Sequence, residues 1–164
     1  MLKPLVLGFM LRKCHRNEAW ILKMANSMFI PLLRMPSSID EVSTFIQAAF
    51  MKFGFPAPKI FFDNKTSTSI SLEDGFIMVE GHNLESQCWV SIIKCAAELT
   101  GDGEHSFLAD VKTRGSWIFS GVVAYAFCKF SGRIIFNDAG ELNGQESYTA
   151  ESLKELIEKL ISKH

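Results

Sequence analysis

The 164-residue chain suits one domain, with 48% hydrophobic and 21% charged residues and a formal net charge of −1. That charge is uneven: residues 1–35 sum to +5 and residues 36–164 to −6. The acidic body argues against a nucleic-acid partner, whose phosphates need a basic surface, and leaves either no charged partner or a basic one.

The opening segment, MLKPLVLGFMLRKCHRNEAW, places a Lys and a short apolar run before Arg12 and Lys13. It has the outline of a secretory leader without a small-x-small cleavage site. No run in the chain approaches the roughly 18 apolar residues of a membrane span, so no membrane association is expected. Met24 and Met28 stand just before the first clean element. Residues 1–23 read either as a loosely attached extension or as upstream sequence joined through an early start codon. The organisation expected is an N-terminal extension over 1–27 and a single domain over 28–164.

MFIPLLR (28–34) reads as a strand, and Pro31 inside it predicts an edge position or a short strand. A helix follows over 39–53. Ser38 and Glu41 have capping-box spacing, Ile39, Val42, Phe45, Ile46, Ala49, Phe50 and Phe53 share one face, and Gly54 ends it. KIFFDN (59–64), STSISLE (67–73) and GFIMVEG (75–81) predict a meander with turns at Asn64-Lys65 and Asp74-Gly75. Asn83 then suits a helix cap, with Cys88, Trp89, Ile92, Ile93, Ala96 and Leu99 as the apolar face of a second helix. SFLADV (106–111) is a short strand or a connection.

From Ser116 to Ser131 the apolar residues point in nearly every direction, which predicts a helix buried all round. Gly121 inside it implies close packing against another element. Gly132 suits a left-handed C′ position, RIIF a strand, and Asn137 and Asp138 a turn. The last helix starts at Thr149, with Leu153, Leu156, Ile157, Leu160 and Ile161 as one stripe and Glu155–Lys159 as an i,i+4 pair. The whole predicts an α+β fold: one mostly antiparallel sheet with three to four helices packed on it.

The chemistry-bearing residues do not assemble into a known motif. The four histidines, His15, His82, His105 and His164, show no H-x-x-x-H or H-E-x-x-H spacing and read as exposed loop positions, so neither a metal site nor a cofactor is expected. Cys14, Cys88, Cys95 and Cys128 form no C-x-x-C. Three of them lie among apolar residues, where a thiol is inert, which predicts reduced structural cysteines and a cytoplasmic protein. G-x-S-x-G is absent, and the Gly-rich GDGEH carries acids that would repel a phosphate. What remains is exposed negative charge on loops. Glu73 and Asp74, Asp102 and Glu104, and Asp138, Glu141 and Glu146 are expected to converge at one end of the sheet as a binding surface.

VVAYAFCKFSGRIIFNDAGEL followed by YTAESLKELIEKL resembles a pattern in small bacterial cytosolic α+β domains. An Ala-rich helix ends in Gly, a core strand and acidic turn follow, and an amphipathic helix closes the domain. Several polymorphic-toxin immunity proteins, antidotes encoded beside contact-dependent or type VI-delivered toxins, look like this. The resemblance spans about residues 115–162 and carries no catalytic residues. It implies a non-enzymatic inhibitor that masks the active site of a basic protein partner. The alternative is a small cytosolic hydrolase or transferase with an unrecognised site.

Overall fold

The computed structural model describes residues 27–64, 71–96, 104–138 and 140–163. Cys14, His15, Asp102, His164, Lys65, residues 67–70 of the expected second meander strand and the expected extension up to residue 26 lie outside them.

Seven strands form one sheet in the order β2-β3-β4-β5-β1-β6-β7. They are β1 (Ser27–Leu32), β2 (Lys59–Asn64), β3 (Gly75–Glu80), β4 (Gln87–Lys94), β5 (Phe107–Thr113), β6 (Ile135–Asn137) and β7 (Ser147–Tyr148). Every neighbouring pair is antiparallel. Three helices, α1 (Ile39–Lys52), α2 (Trp117–Ser131) and α3 (Ala150–Ile161), pack on one face. The protein is therefore a single α+β domain, as the order of elements predicts.

α2 is buried without interruption from Phe119 to Cys128. It lies on the sheet, with α1 on one side and α3 on the other, which is why no polar face was needed. The phenylalanines do much of the sealing. Phe45 meets Phe127 edge-on at 5.0 Å and stacks on Phe130 at 4.6 Å, and Phe50 meets Phe119 at 4.9 Å. A Cβ at Gly121 would lie 3.3 Å from Ile157 Cδ1, so the glycine lets α3 approach.

α1 is delimited as its sequence predicts, with one shift. The Ser38 hydroxyl accepts the Glu41 N–H, but the Glu41 carboxylate does not return to Ser38; it takes the Ser37 N–H at 2.7 Å and pairs with Arg34 at 2.8 Å. At the other end Gly54 has φ +76, its N–H reaches Met51 O, and Phe55 N–H reaches Phe50 O. This is a Schellman motif, closed by contact between the Phe50 and Phe55 rings.

Five expectations change. Residues 87–94 form a strand rather than a helix. Cys88, Val90 and Ile92 are buried while Trp89, Ser91 and Ile93 are half-buried; with apolar residues on both faces, period 2 and period 3.6 fit alike, and Val and Ile tip the balance to strand. β1 lies inside the sheet, not at an edge. The Pro31 nitrogen faces the side where β6, paired only with Met28 and Phe29, has already ended, so no ladder bond is lost. Asp74-Gly75 is not a two-residue hairpin: Leu72–Asp74 is a 3₁₀ turn, and Gly75 pairs with Asn64 where a Cβ would strike the Asp63 carbonyl. Gly132 is extended, with φ −96, rather than left-handed. It is needed because a Cβ there would lie 2.7 Å from Ile30 Cγ2 and 2.9 Å from Cys128 Cα. The ion pair on α3 is Lys154–Glu158 at 3.8 Å, rather than Glu155–Lys159.

Candidate functional site

The sheet register assigns each loop to an end. At the first end β3, β5 and β6 begin; at the second they finish. Glu73 and Asp74 precede β3 and Glu104 precedes β5, which places them at the first end. Asp138, Glu141 and Glu146 lie between β6 and β7, at the second. The expected convergence of all these acids on one surface is thus overturned by topology, because β6 leaves the sheet at the end opposite to where β3 and β5 enter it. Asp102 lies outside the described residues.

The β6–β7 loop is a built structure. Asn137, expected to be a simple turn former, is a 5% exposed strand residue whose Nδ2 donates to Glu141 O at 2.8 Å and Gln145 O at 2.9 Å. The Tyr148 hydroxyl donates to Asn143 Oδ1. Gly140, Leu142 and Gly144 all have positive φ, which turns carbonyls inward to this clamp. Leu142 is the costly one, since a side chain is strained there. Its side chain packs against the core cluster in return. The loop leaves Glu141 and Glu146 exposed on a fixed backbone, with Asp138 half-buried.

The second end also holds a cleft of about 400 Å³. Phe50, Phe55 and Pro56 come from the end of α1, Ile118 and Phe119 from the start of α2, and Ile161 from the end of α3. Gly81, His82, Asn83 and Ser86 form the β3–β4 turn that makes its polar wall, with the α2 cap residue Ser116. Two close approaches hold that turn against α2. A Cβ at Gly81 would lie 3.0 Å from Phe119 Cε2, and one at Gly115 would strike the Glu85 carbonyl. Ser116 N–H donates to Glu85 O at 2.7 Å. Sequence reasoning missed this cleft because its parts come from four separated segments. The visible trace was a pair of glycines, Gly81 and Gly115, flanking strand ends.

The thiols are placed for packing. Cys88, Cys95 and Cys128 are buried and outside any disulfide. Burial pushes the Cys88 thiol far up, opposed by the Ser120 hydroxyl, and pushes Cys128 up to about 11. His82 is exposed as expected, but His105 is 4% exposed and belongs to the interior. Asp110, also buried, lies on the sheet face opposite α1, α2 and α3 with Lys112 Nζ at 3.4 Å. Among the described residues no group of three or more His, Cys, Asp or Glu is placed to hold a metal ion. No helix among them is long and apolar enough to cross a membrane. Comparisons with protein-family models, with curated proteins and with solved structures find no match to this chain.

Proposed function

We propose that this chain is a non-enzymatic, cytoplasmic binding protein of the immunity type, which masks the active site of a basic protein partner. The observation that supports the reading is the clamped β6–β7 loop. An internal amide, two glycines and a strained leucine hold the backbone that carries Glu141 and Glu146. A surface loop held this firmly presents charge without an ordering cost on association. Fixed carboxylates speed encounter with a basic surface and make it salt-sensitive. Glu73, Asp74 and Glu104, at the opposite end of the sheet, are not part of this interface.

The test is co-expression with the toxic domain encoded beside this chain. Wild type should restore growth, and association of the purified pair should weaken with salt. Glu141→Lys with Glu146→Lys should slow association about tenfold at low salt. Growth restored equally by the double variant, with association flat across salt, would overturn the acidic-loop mechanism. Absence of any toxic neighbour neutralised by the protein would overturn the immunity reading itself.

A further inference from the structure

The cleft at the second end of the sheet has its own chemistry, independent of the acidic loop. Its volume of about 400 Å³ lies within the range of small-molecule sites, roughly 300–1,000 Å³. One part of the wall is aromatic and aliphatic: the rings of Phe50, Phe55 and Phe119 meet there, with Phe50 central to both ring pairs at 6.2 and 4.9 Å. The opposing part is the β3–β4 turn and the α2 cap. There four of the acceptors each already take one backbone N–H. Asn83 Oδ1 takes the Glu85 N–H at 3.1 Å and Ser116 Oγ takes the Phe119 N–H at 3.2 Å. The Ser86 and Glu85 carbonyls take the Gly81 and Ser116 N–H groups. Still able to donate are the Asn83 amide, the Ser86 and Ser116 hydroxyls and the His82 imidazole N–H. His82 is the one ionisable side chain in the lining, which holds neither Asp nor Glu.

A wall of spare donors facing aromatic rings selects a ligand that is acceptor-rich at one end and apolar at the other. We propose that this cleft binds a small carboxylic acid with a phenyl-sized apolar tail. The tail lies among Phe50, Phe55 and Phe119, and the carboxylate accepts from the turn and from His82. An ammonium head meets no carboxylate in the lining and faces the His82 ring. A hydroxyl head is accommodated without the charge-assisted bonds.

The probe is 4-phenylbutyrate, with 4-phenylbutylamine and 4-phenyl-1-butanol as head-group controls, titrated into the full chain and followed by amide NMR. The butyrate should give saturable shifts at Gly81, Ser86, Ser116, Ile118 and Phe119, and bind at least tenfold more tightly than the amine. His82→Ala, at an exposed position that should not disturb folding, should weaken the butyrate about fivefold and leave the alcohol unchanged. Ile118→Trp should fill the cleft and abolish all three; should that variant not fold, the His82→Ala comparison decides. An amine that binds as well as the butyrate, butyrate affinity unmoved by His82→Ala, shifts scattered away from the cleft, or no saturation at the solubility limit would each overturn the assignment.

Discussion

The Asn137 side chain donates to the backbone carbonyl of Glu141, four residues on, at 2.8 Å from a position only 5% exposed. One amide thereby ties the excursion between β6 and β7 to the sheet. Asn137→Ala should strand two carbonyls and cost about 1–3 kcal/mol. Thermal melting reads the cost. Amide exchange reads the location: protection should fall at 140–146 before it falls in β1 or β5. A uniform loss across the sheet would mean that Asn137 supports the core rather than the loop.

Gly54 and Gly132 both end helices, for different reasons, and substitution separates them. Gly54 has φ +76 with open space around its missing Cβ. Gly54→Asn should therefore be nearly neutral, since Asn tolerates the left-handed region, and Gly54→Ala should cost about 1 kcal/mol. Gly132 has no such conformational demand but has Ile30 and Cys128 against it. Gly132→Asn and Gly132→Ala should both destabilise, and Gly132→Val more so, by about 1–3 kcal/mol for an overpacked site. Urea midpoints for the five variants give the ranking. Equal tolerance of Asn at both positions would show that the 132 site relaxes freely.

What could be read from the sequence follows the strength of local signals. α1 and α3 each have an N-cap and one apolar stripe, with a glycine stop for α1, and their starts were legible to within a residue or so. α2 was legible for the opposite reason, because apolar residues pointing in nearly every direction between Ser116 and Gly132 have one physical explanation. β4 was not legible, because Cys88-Trp89-Val90-Ser91-Ile92-Ile93 is apolar on both faces and short apolar runs carry no period of their own. Gly132 was located as a boundary but assigned the wrong cause, since close approach to Ile30 is a tertiary fact. The acidic positions were correctly exposed at Glu73, Asp74, Glu141 and Glu146. Their grouping failed because strand order, not loop composition, decides which loops share an end. The cleft needed the same information, as its walls join β3–β4, the α1 and α3 ends and the start of α2.

Acid should loosen the entry to α1 first. The Arg34 guanidinium, with the Ser37 N–H, holds the Glu41 carboxyl down at about 2. A carboxyl depressed in the folded state adds stability above its ordinary value near 4.5 and loses it as pH falls toward 2. Stability should therefore decline across that window. Glu41→Gln should flatten the decline while lowering the neutral-pH melting temperature. An identical pH profile for the two proteins would show that the Arg34–Glu41 pair, on the surface, carries no net stability.

The thiols give a test of the interior that needs no partner and no ligand. Cys88 lies on the helix face of β4 and Cys128 on the buried turn of α2, both with the thiolate disfavoured by burial. Alkylation proceeds through the thiolate. In a Cys14→Ser background, iodoacetamide at neutral pH should modify neither until the chain opens. Labelling of Cys88 should follow global unfolding, since β4 is hydrogen-bonded on both sides, and should stay slow when pH is raised to about 9. Cys128 sits one turn from the end of α2, where Gly132 N–H bonds its carbonyl. Its labelling should be faster and should accelerate in Gly132→Ala, which loosens that turn. Cys88 labelled as fast as Cys128 in the native protein would mean that the sheet and the helix layer separate without global unfolding.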